Sequence, residues 1–420
     1  MPCCPPLKSV VLVVDKFSQD VHLAYRTAGV KYPVDYDPVT KQIEYTSGFF
    51  SILADLANIQ SGTRIFFYRR RIDEPPQSRG FIGEWVATMK PYEDRNTSLS
   101  FQSLQILGSC PNCGSPNSTL REGEPVCSSC STPLRGHILP LRFSFTSLQQ
   151  YPQYLDDNTA YIDITDAGRL STLIFRKITG AGRERSINPI LPEEAEKLRR
   201  LLARVSAQQK NTLVYFPASQ PSPKPGTPIS NFLNFQLKYP LRNRGTTFLY
   251  DLKSGTLFYE TILEFWLVEA LSSMSPQIAD LLALFPNEQV EWFSNQILFG
   301  IGGEKSDVLL LMRDQESGLR CRAVVIELKR DAIDSDTLTQ VKAYSYWIAQ
   351  LATAQVQARS PFIISPLAIG RRVARNTQPF APFTFAIPYT QPLQVLVEAP
   401  RVYTYTVDPV ANTLALSRRI

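Results

Sequence analysis

The chain reads as a multidomain protein of the α+β / α/β class, β-rich in its N-terminal half and built in its C-terminal half from a mixed sheet flanked by helices. Three observations lead there. At 420 residues it is too long for one ordinary core and suits two or three domains. Five prolines fall between Pro217 and Pro228 among Ser, Gln, Lys and Gly, a composition that packs poorly and favours extended backbone. Before that stretch the apolar runs are short and rich in branched and aromatic residues. After it, helical patterns bracket two apolar strands.

In order along the chain, Val10–Val14, Arg64–Arg69, Phe81–Thr88, Leu139–Phe145, Ala160–Ile164 and Ser171–Ile178 read as strands, each bounded by Gly, Pro, Asn or Asp. A helix is expected near Gly48–Ile59. A second, Glu193–Ala207, places Ala195, Leu198, Leu201, Leu202 and Val205 at helical spacing behind Pro192 in a first-turn position. It closes a first domain, 1–216. A proline-rich linker, 217–231, leads to a second, 232–420, with no internal repeats.

Composition is that of a folded soluble protein, 44% hydrophobic and 20% charged. The start of the chain lacks the pattern of a signal peptide, and no run reaches the roughly 18 apolar residues that span a bilayer, so a cytoplasmic protein without a membrane partner is expected. The net charge of +6 is compatible with nucleic acid but does not require it. Residues 1–216 carry 25 Lys/Arg against 21 Asp/Glu and 217–420 carry 19 against 17, so any basic surface must come from folding.

Four of the seven cysteines form two knuckles, Cys110-Pro111-Asn112-Cys113 and Cys127-Ser128-Ser129-Cys130. A two-residue gap lets a tight turn aim both thiolates at one ion, and two such turns complete a tetrahedral Zn²⁺ shell. Without a βαβ context a redox dithiol is disfavoured. A zinc ribbon is expected over 106–136, and since four thiolates leave no open position its zinc should be structural.

After the linker, Phe258–Met274 reads as an amphipathic, aromatic helix with Glu260 and Glu264 on one face. Ser306–Leu311 is an apolar strand with Asp307 near its start. Following a turn at Arg313–Gly318, Cys321–Arg330 is a second strand, apolar until it emits Glu327 and Lys329. Residues two apart on a strand share a face, so Glu327 and Lys329 point together, and on a neighbouring antiparallel strand Asp307 can meet them. Two carboxylates suit Mg²⁺ or Mn²⁺, and a lysine suits the charge that develops on a phosphate under attack. A helix over Leu338–Leu351 turns Val341, Tyr344, Tyr346, Trp347 and Ile348 to a core and leaves Gln340 and Lys342 for the site or solvent. Other chemistry is poorly served. There are only two histidines, no nucleophile elbow, and Gly300–Gly303 lacks the Lys-Ser/Thr of a phosphate loop.

Residues 258–350 resemble the PD-(D/E)XK nuclease superfamily, with Ser306 where the motif's proline usually stands. Within it, Ser306–Leu310, Val325–Arg330 and Gln340–Trp347 are similar to the C-terminal domain of NucS-type mismatch endonucleases. That resemblance implies catalytic roles for Asp307, Glu327, Lys329 and Gln340, with Glu264 as a first-helix carboxylate and Asp307 and Glu327 holding the catalytic metal. In the first half, Gly62–Tyr68, Gly80–Val86, Leu173–Lys177 and Pro189-Ile190 resemble a PUA-like or EVE-type barrel, a family that reads modified or flipped bases. It implies that Tyr68 and Trp85 can stack a base, while Arg176, Lys177, Arg183 and Arg185, in a basic glycine-containing loop, suit phosphate contacts.

Together these readings predict a metal-dependent DNA endonuclease, a restriction or antiviral-defence enzyme whose first domain recognises modified DNA. A mismatch or branched-DNA repair endonuclease and a non-catalytic nucleic-acid-binding protein are the alternatives. RNA as substrate and a homodimer stay open.

Overall fold

The computed structural model describes residues 8–14, 19, 22, 23, 25–30, 34–37, 42–69, 80–93, 112–115, 118–121, 124–132, 141–148, 151, 153–163, 166, 168–172, 185–208, 225–237, 240–242, 244–299, 304–408 and 410–419.

The first half is built on β1 (Ser9–Val14), β2 (Thr27–Val30), α1 (Ser47–Leu56), β3 (Arg64–Arg69), β4 (Gly80–Ala87), β5 (Tyr92–Glu93), β6 (Leu141–Ser147), β7 (Ile187–Ile190), α2 (Pro192–Gln208) and β8 (Thr227–Pro228). Its sheet runs β7-β1-β3-β4-β6-β5-β8, with β2 also paired to β6. Among the described residues of this sheet only β1 and β3 pair in parallel. Among the described residues the sheet is a curled half-barrel that does not close on itself. β1 (SVVLVV) is buried along nearly its whole length because α1 covers one face and α2 the other. Alternation then sends Val10 and Leu12 to one core and Val11 to the other.

Two expected strands differ. Ala160–Ile164 lies largely in a short helix, Asp157–Ile162, capped by Asp156, whose carboxylate accepts from Thr159 N at 3.0 Å. A capping aspartate and one-sided burial, with Ala160 enclosed and Ile162 70% exposed, favour the helix over a pleated strand. Ser171 and Thr172 are also helical, and the rest of that run, like 173–184 as a whole, lies outside the described residues. The expected linker ends as structure. Thr227–Pro228 pairs with β5, and in the 3₁₀ turn Ile229–Leu233 that follows Ile229 and Phe232 are buried.

The second half comprises α3 (Glu260–Ser273), β9 (Glu288–Phe299), β10 (Glu304–Asp314), β11 (Arg320–Leu328), α4 (Ser335–Thr353), β12 (Ala358–Gly370), β13 (Phe383–Ile387), β14 (Leu393–Val397), β15 (Arg401–Asp408) and β16 (Thr413–Arg418). The mixed sheet is ordered β9-β10-β11-β12-β14-β13, and β15 pairs with both β12 and β16. β9, β10 and β11 are antiparallel, whereas β12 runs parallel to β11 because α4 makes the crossover between them.

Expected to be amphipathic, α3 is instead buried almost all round, Ile262–Val268 having no exposed member. A helix apolar on every side needs cover on every side. The second sheet supplies one part and α1 another, with the Phe50 and Tyr259 rings 6.3 Å apart and Thr261 Oγ1 donating to Ser47 O at 3.0 Å. One continuous core therefore reaches from β1 through α1 and α3 to β10, β11 and β15. On the far side of the sheet, Val341, Tyr344 and Ile348 of α4 pack on Leu309, Leu311 and Val325. Tyr346, expected inside, is 49% exposed, its ring set against Phe385 at 5.0 Å.

Candidate active site

The β10–β11 ladder matches Leu309 with Val325 and Val308 with Ile326, then ends. One step further Asp307 and Glu327 face each other, and the Asp307 side chain replaces the missing ladder bond, Oδ2 accepting from Leu328 N at 2.7 Å. Alternation decides what surrounds them. Even-numbered Val308, Leu310, Val324, Ile326 and Leu328 join the core under α3, while Leu309, Leu311, Ala323 and Val325 join the core under α4. Asp307 and Glu327 continue this second set past its apolar end. Both are buried, at 8% and 4% exposure. Lys329 donates from Nζ to Glu327 Oε1 at 2.8 Å, and its own N–H is tied to Ile369 O of β12. The other oxygen, Glu327 Oε2, is buried without a hydrogen-bond partner among the described residues.

Burial pushes the Asp307 carboxyl well above the ordinary carboxylate range, and the neighbouring charges of Glu327, Glu260 and Glu264 push it further. Glu327 is raised too, by burial first, against the pull of Lys329. For Lys329 burial acts downward, but the Glu327, Glu260 and Asp307 carboxylates prevail and hold it above its usual value. The pocket thus carries more negative charge than its lysine neutralises.

The two candidate carboxylates of α3 are placed differently. Glu264, favoured from sequence as the first-helix carboxylate, has both oxygens engaged, Oε1 by Asn295 Nδ2 at 2.6 Å and Oε2 by Gln296 Nε2 at 2.8 Å. Glu260 sits in the first turn, half-buried, and its Oε2 accepts weakly from Arg330 N at 3.3 Å. It is the α3 carboxylate whose charge acts on Asp307, Glu327 and Lys329 alike. Gln340 is exposed in the second turn of α4 and makes no hydrogen bond to the three β10–β11 residues. Sequence reasoning passed over Lys305, which donates to Gln296 and whose charge lowers both Glu264 and Glu327. It stands two before Asp307 on the same strand, the spacing already used for Glu327 and Lys329.

Two buried carboxylates with raised proton affinity and one unpartnered oxygen form a donor set that fits a hard divalent cation. They offer two ligands. The tighter arrangement, three ligand atoms all within 4.8 Å of one another, occurs among the described residues only at Cys113, Cys127 and Cys130.

That thiol group lies on an insertion between β5 and β6, where Ser118–Arg121 and Glu124–Cys127 form a hairpin. Cys113 Sγ is 3.5 Å from Cys127 Sγ, and Ser129 N points at Cys127 Sγ at 3.4 Å. Burial raises the Cys127 thiol, but the N–H groups of Cys130 and Ser129 and the Cys113 thiol outweigh it, so the thiol is held below its ordinary value. N–H groups aimed at sulfur favour thiolate, the form that binds metal. Three cysteines that can hold a metal ion such as zinc are therefore together. Cys110, expected as the fourth, lies outside the described residues.

Among residues expected to touch nucleic acid, Arg176, Lys177 and Arg183 lie outside the described residues. Arg185 is turned inward. Its Nε donates to Asp55 Oδ2 at 2.7 Å and its terminal nitrogens to Asn295 O at 2.8 Å and Asn295 Oδ1 at 2.7 Å, so it pins α1 to β9 and leaves no fork for a phosphate. Asn295 passes this contact on to Glu264. Trp85 is 2% exposed and packs on Phe67 at 4.7 Å, filling the half-barrel, while its Nε1 is buried without a partner among the described residues. Tyr68 is half-buried against Phe81, ring centroids 4.8 Å apart.

No family model matches the chain, and no curated protein matches it. Among solved structures, the human THYN1 protein in complex with 5-methylcytosine-containing DNA is similar to 49% of this chain over 99% of its own length, at 11% identity and a TM-score of 0.20. A score that low falls short of a shared global fold. No helix among the described residues is long and apolar enough to cross a membrane.

Proposed function

We propose that the chain is a divalent-metal-dependent endonuclease acting on DNA, with Asp307, Glu327 and Lys329 as its catalytic residues. The observation that carries the reading is Glu327, whose one oxygen holds Lys329 while the other is buried beside the buried Asp307 and unpartnered among the described residues. Both carboxylates are buried, so their charges are screened little. Asp307 and Glu327 would hold the cation, which when bound polarises the phosphodiester and lowers the pKa of a water. Asp307 is fixed by Leu328 N and needs no reorganisation to act. Lys329, half-exposed at the mouth, is placed to meet negative charge developing on the phosphate. Glu260, beside it, is the available acceptor for a proton from water.

Target choice falls to the first half. Its sequence resemblance to barrels that read modified or flipped bases supports this, and we assign this half to reading marked DNA, in the manner of a restriction or defence enzyme.

The test is cleavage of plasmid, modified DNA, mismatched duplex, single strands and RNA with Mg²⁺ or Mn²⁺, comparing wild type with Lys329→Ala. Metal-dependent products on DNA that disappear in the variant are expected. No product on any polymer would sink the nuclease reading. Preference for mismatches with equal cutting of plain and modified DNA would replace defence by repair, and cutting of RNA alone would move the substrate class.

A further inference from the structure

Neighbouring strands β9, β10 and β11 place Gln296, Asp307 and Glu327 in one row. The β9–β10 ladder pairs Asn295 with Val308 and Ile297 with Ser306, so Gln296 stands opposite Asp307, which in turn faces Glu327. The Gln296 backbone is left-handed, at φ 54°. Glutamine seldom adopts that conformation, and it persists only where the surroundings fix it. Here it interrupts the alternation of β9. Phe293 joins the core under α3 and Ile297, four residues on, the core under α4, whereas even spacing on a regular strand keeps one face. Asn295 and Gln296, although adjacent, both reach Glu264 of α3.

These contacts fix the Gln296 amide. Its Nε2 donates to Glu264 Oε2 at 2.8 Å, and its Oε1 accepts from Lys305 Nζ. Glu264 is buried and anchored in turn, its other oxygen accepting from Asn295 Nδ2, while Asn295 Oδ1 accepts from Asn58 Nδ2 at 2.9 Å and from Arg185 at 2.7 Å. A chain of hydrogen bonds thus runs from the first half of the molecule to Lys305. That lysine is half-buried, two residues before Asp307 on β10, and its charge acts on both Glu264 and Glu327. Gln296 Oε1 is the ammonium's one hydrogen-bond partner among the described residues, and none of their carboxylates pairs with it. An ammonium carries three donors, so two stay available, and a neutral amide orients the group without cancelling its charge.

We propose that Lys305 is a second DNA-contacting cation of the site, meeting a backbone phosphate of the strand presented to Asp307 and Glu327, and that Gln296 and Glu264 are the positioning residues that hold it there. The inference rests on the nuclease reading for the place of the substrate. Glu264 then has a task other than metal ligation, since both its oxygens are occupied by amides. The two lysines act differently. Lys329 touches Glu327 and meets charge that develops during the reaction. Lys305 is tied to neither Asp307 nor Glu327 and meets charge that the phosphate already carries. A contact equal in the ground and transition states acts on KM rather than on kcat.

The test reads binding beside cleavage. Anisotropy of labelled duplex DNA is measured with Ca²⁺ and in EDTA across a salt series for the full chain and for Lys305→Met, Lys305→Arg and Gln296→Leu, together with thermal melting and cleavage in Mg²⁺. Lys305→Met should bind about tenfold more weakly and lose about one from the salt slope. Its KM should rise by a like factor, with kcat within about threefold of wild type. Lys305→Arg keeps the charge and should restore the slope. Gln296→Leu should weaken binding with the slope unchanged, because the charge remains and is no longer held. A Lys305→Met chain that melts lower yet binds with wild-type affinity and slope would reduce Lys305 to a counter-charge for Glu264 and overturn the proposal. Loss of kcat with KM unchanged, or a wild type that binds no DNA under either condition, would overturn it too. Should Lys305→Met fail to fold, Lys305→Gln is read on the same terms. Weakened binding in the variant beside a wild type that binds DNA but cuts nothing with Mg²⁺ or Mn²⁺ would uphold the contact and remove the nuclease reading. A variant that binds and cuts like a cutting wild type would do the reverse.

Discussion

Lys329 Nζ and Glu327 Oε1 lie 2.8 Å apart, two residues along one strand end, and this contact leaves the second Glu327 oxygen buried with no hydrogen-bond partner among the described residues. A lysine that neutralised the pocket would sit between Glu327 and Asp307. This one holds a single oxygen from the mouth and leaves the interior anionic.

Asp307→Asn should therefore separate chemistry from stability. The amide keeps an acceptor for Leu328 N and removes a buried charge whose proton affinity burial has raised. In EDTA at neutral pH we expect melting to rise by about 1–3 °C; with Mg²⁺ in place of EDTA, cleavage should vanish and the Mg²⁺-dependent rise in melting expected of wild type should be lost. A variant that still gains stability from Mg²⁺ would place the cation elsewhere.

Lys329→Met keeps the length and loses the charge. Cleavage should fall by about 100-fold or more, the scale of removing one group that meets transition-state charge. Thermal stabilisation by Mg²⁺ should persist, because Asp307 and Glu327 remain. If cleavage and metal response disappear together, Lys329 is needed to form the site rather than to act in it.

Glu194 provides a pH dependence far from this site. Buried at the start of α2, it accepts from Leu191 N and Thr172 N at 2.8 Å each, yet burial outweighs these bonds and lifts its pKa to about 7. Because the folded pKa lies above the ordinary 4.5, the folded state holds the proton more tightly. The resulting stability is fully present below 4.5 and is lost as pH rises through about 7. Glu194→Gln should melt higher relative to wild type at pH 8 than at pH 5, by up to about 3 kcal/mol in stability. Differential scanning calorimetry at the two pH values decides it, and an equal offset at both would refute the shift.

Arg320 joins the two halves. It is wholly buried and bonded to Glu193 of α2 at 2.9 Å, to Glu291 of β9 at 2.9 Å and to Ala352 O at 2.7 Å. Arg320→Ala should cost about 3–5 kcal/mol by leaving two carboxylates in the interior, one of them still met by Arg313. Denaturant melts would show it, whereas a loss under about 1 kcal/mol would mean that water enters the contact.

For the thiol group, Cys127→Ser should lower bound zinc from about one per chain towards none. Cleavage of DNA should be unaffected, since the hairpin stands apart from β10 and β11. Metal analysis beside a cleavage assay checks both halves of the statement, and unchanged zinc would exclude the site.

Much of the site's geometry is legible in the sequence. Asp307, Glu327 and Lys329 could be placed together because alternation along two apolar strands is a local property, and a hairpin brings neighbouring strands into register. The grouping of Cys113 with Cys127 and Cys130 was legible because a two-residue gap in a knuckle is also a local property. Lys305, two before Asp307 on the same strand, follows from the alternation rule as well. Glu264 could not have been told from Glu260, since both lie on one face of α3. Only packing against β9 sends Asn295 and Gln296 to Glu264 and leaves Glu260 at the mouth. Arg185 was misread because a basic, glycine-rich stretch resembles a phosphate loop, and its partners Asp55 and Asn295 are 130 and 110 residues away.

What the sequence determined by itself is the short-range chemistry: which residues could share a strand face, a knuckle or a helix turn. Tertiary structure decided which charges are buried, which are paired and which arginines face outward, because burial and pairing depend on elements distant in the chain that only the shared core around α3 brings together.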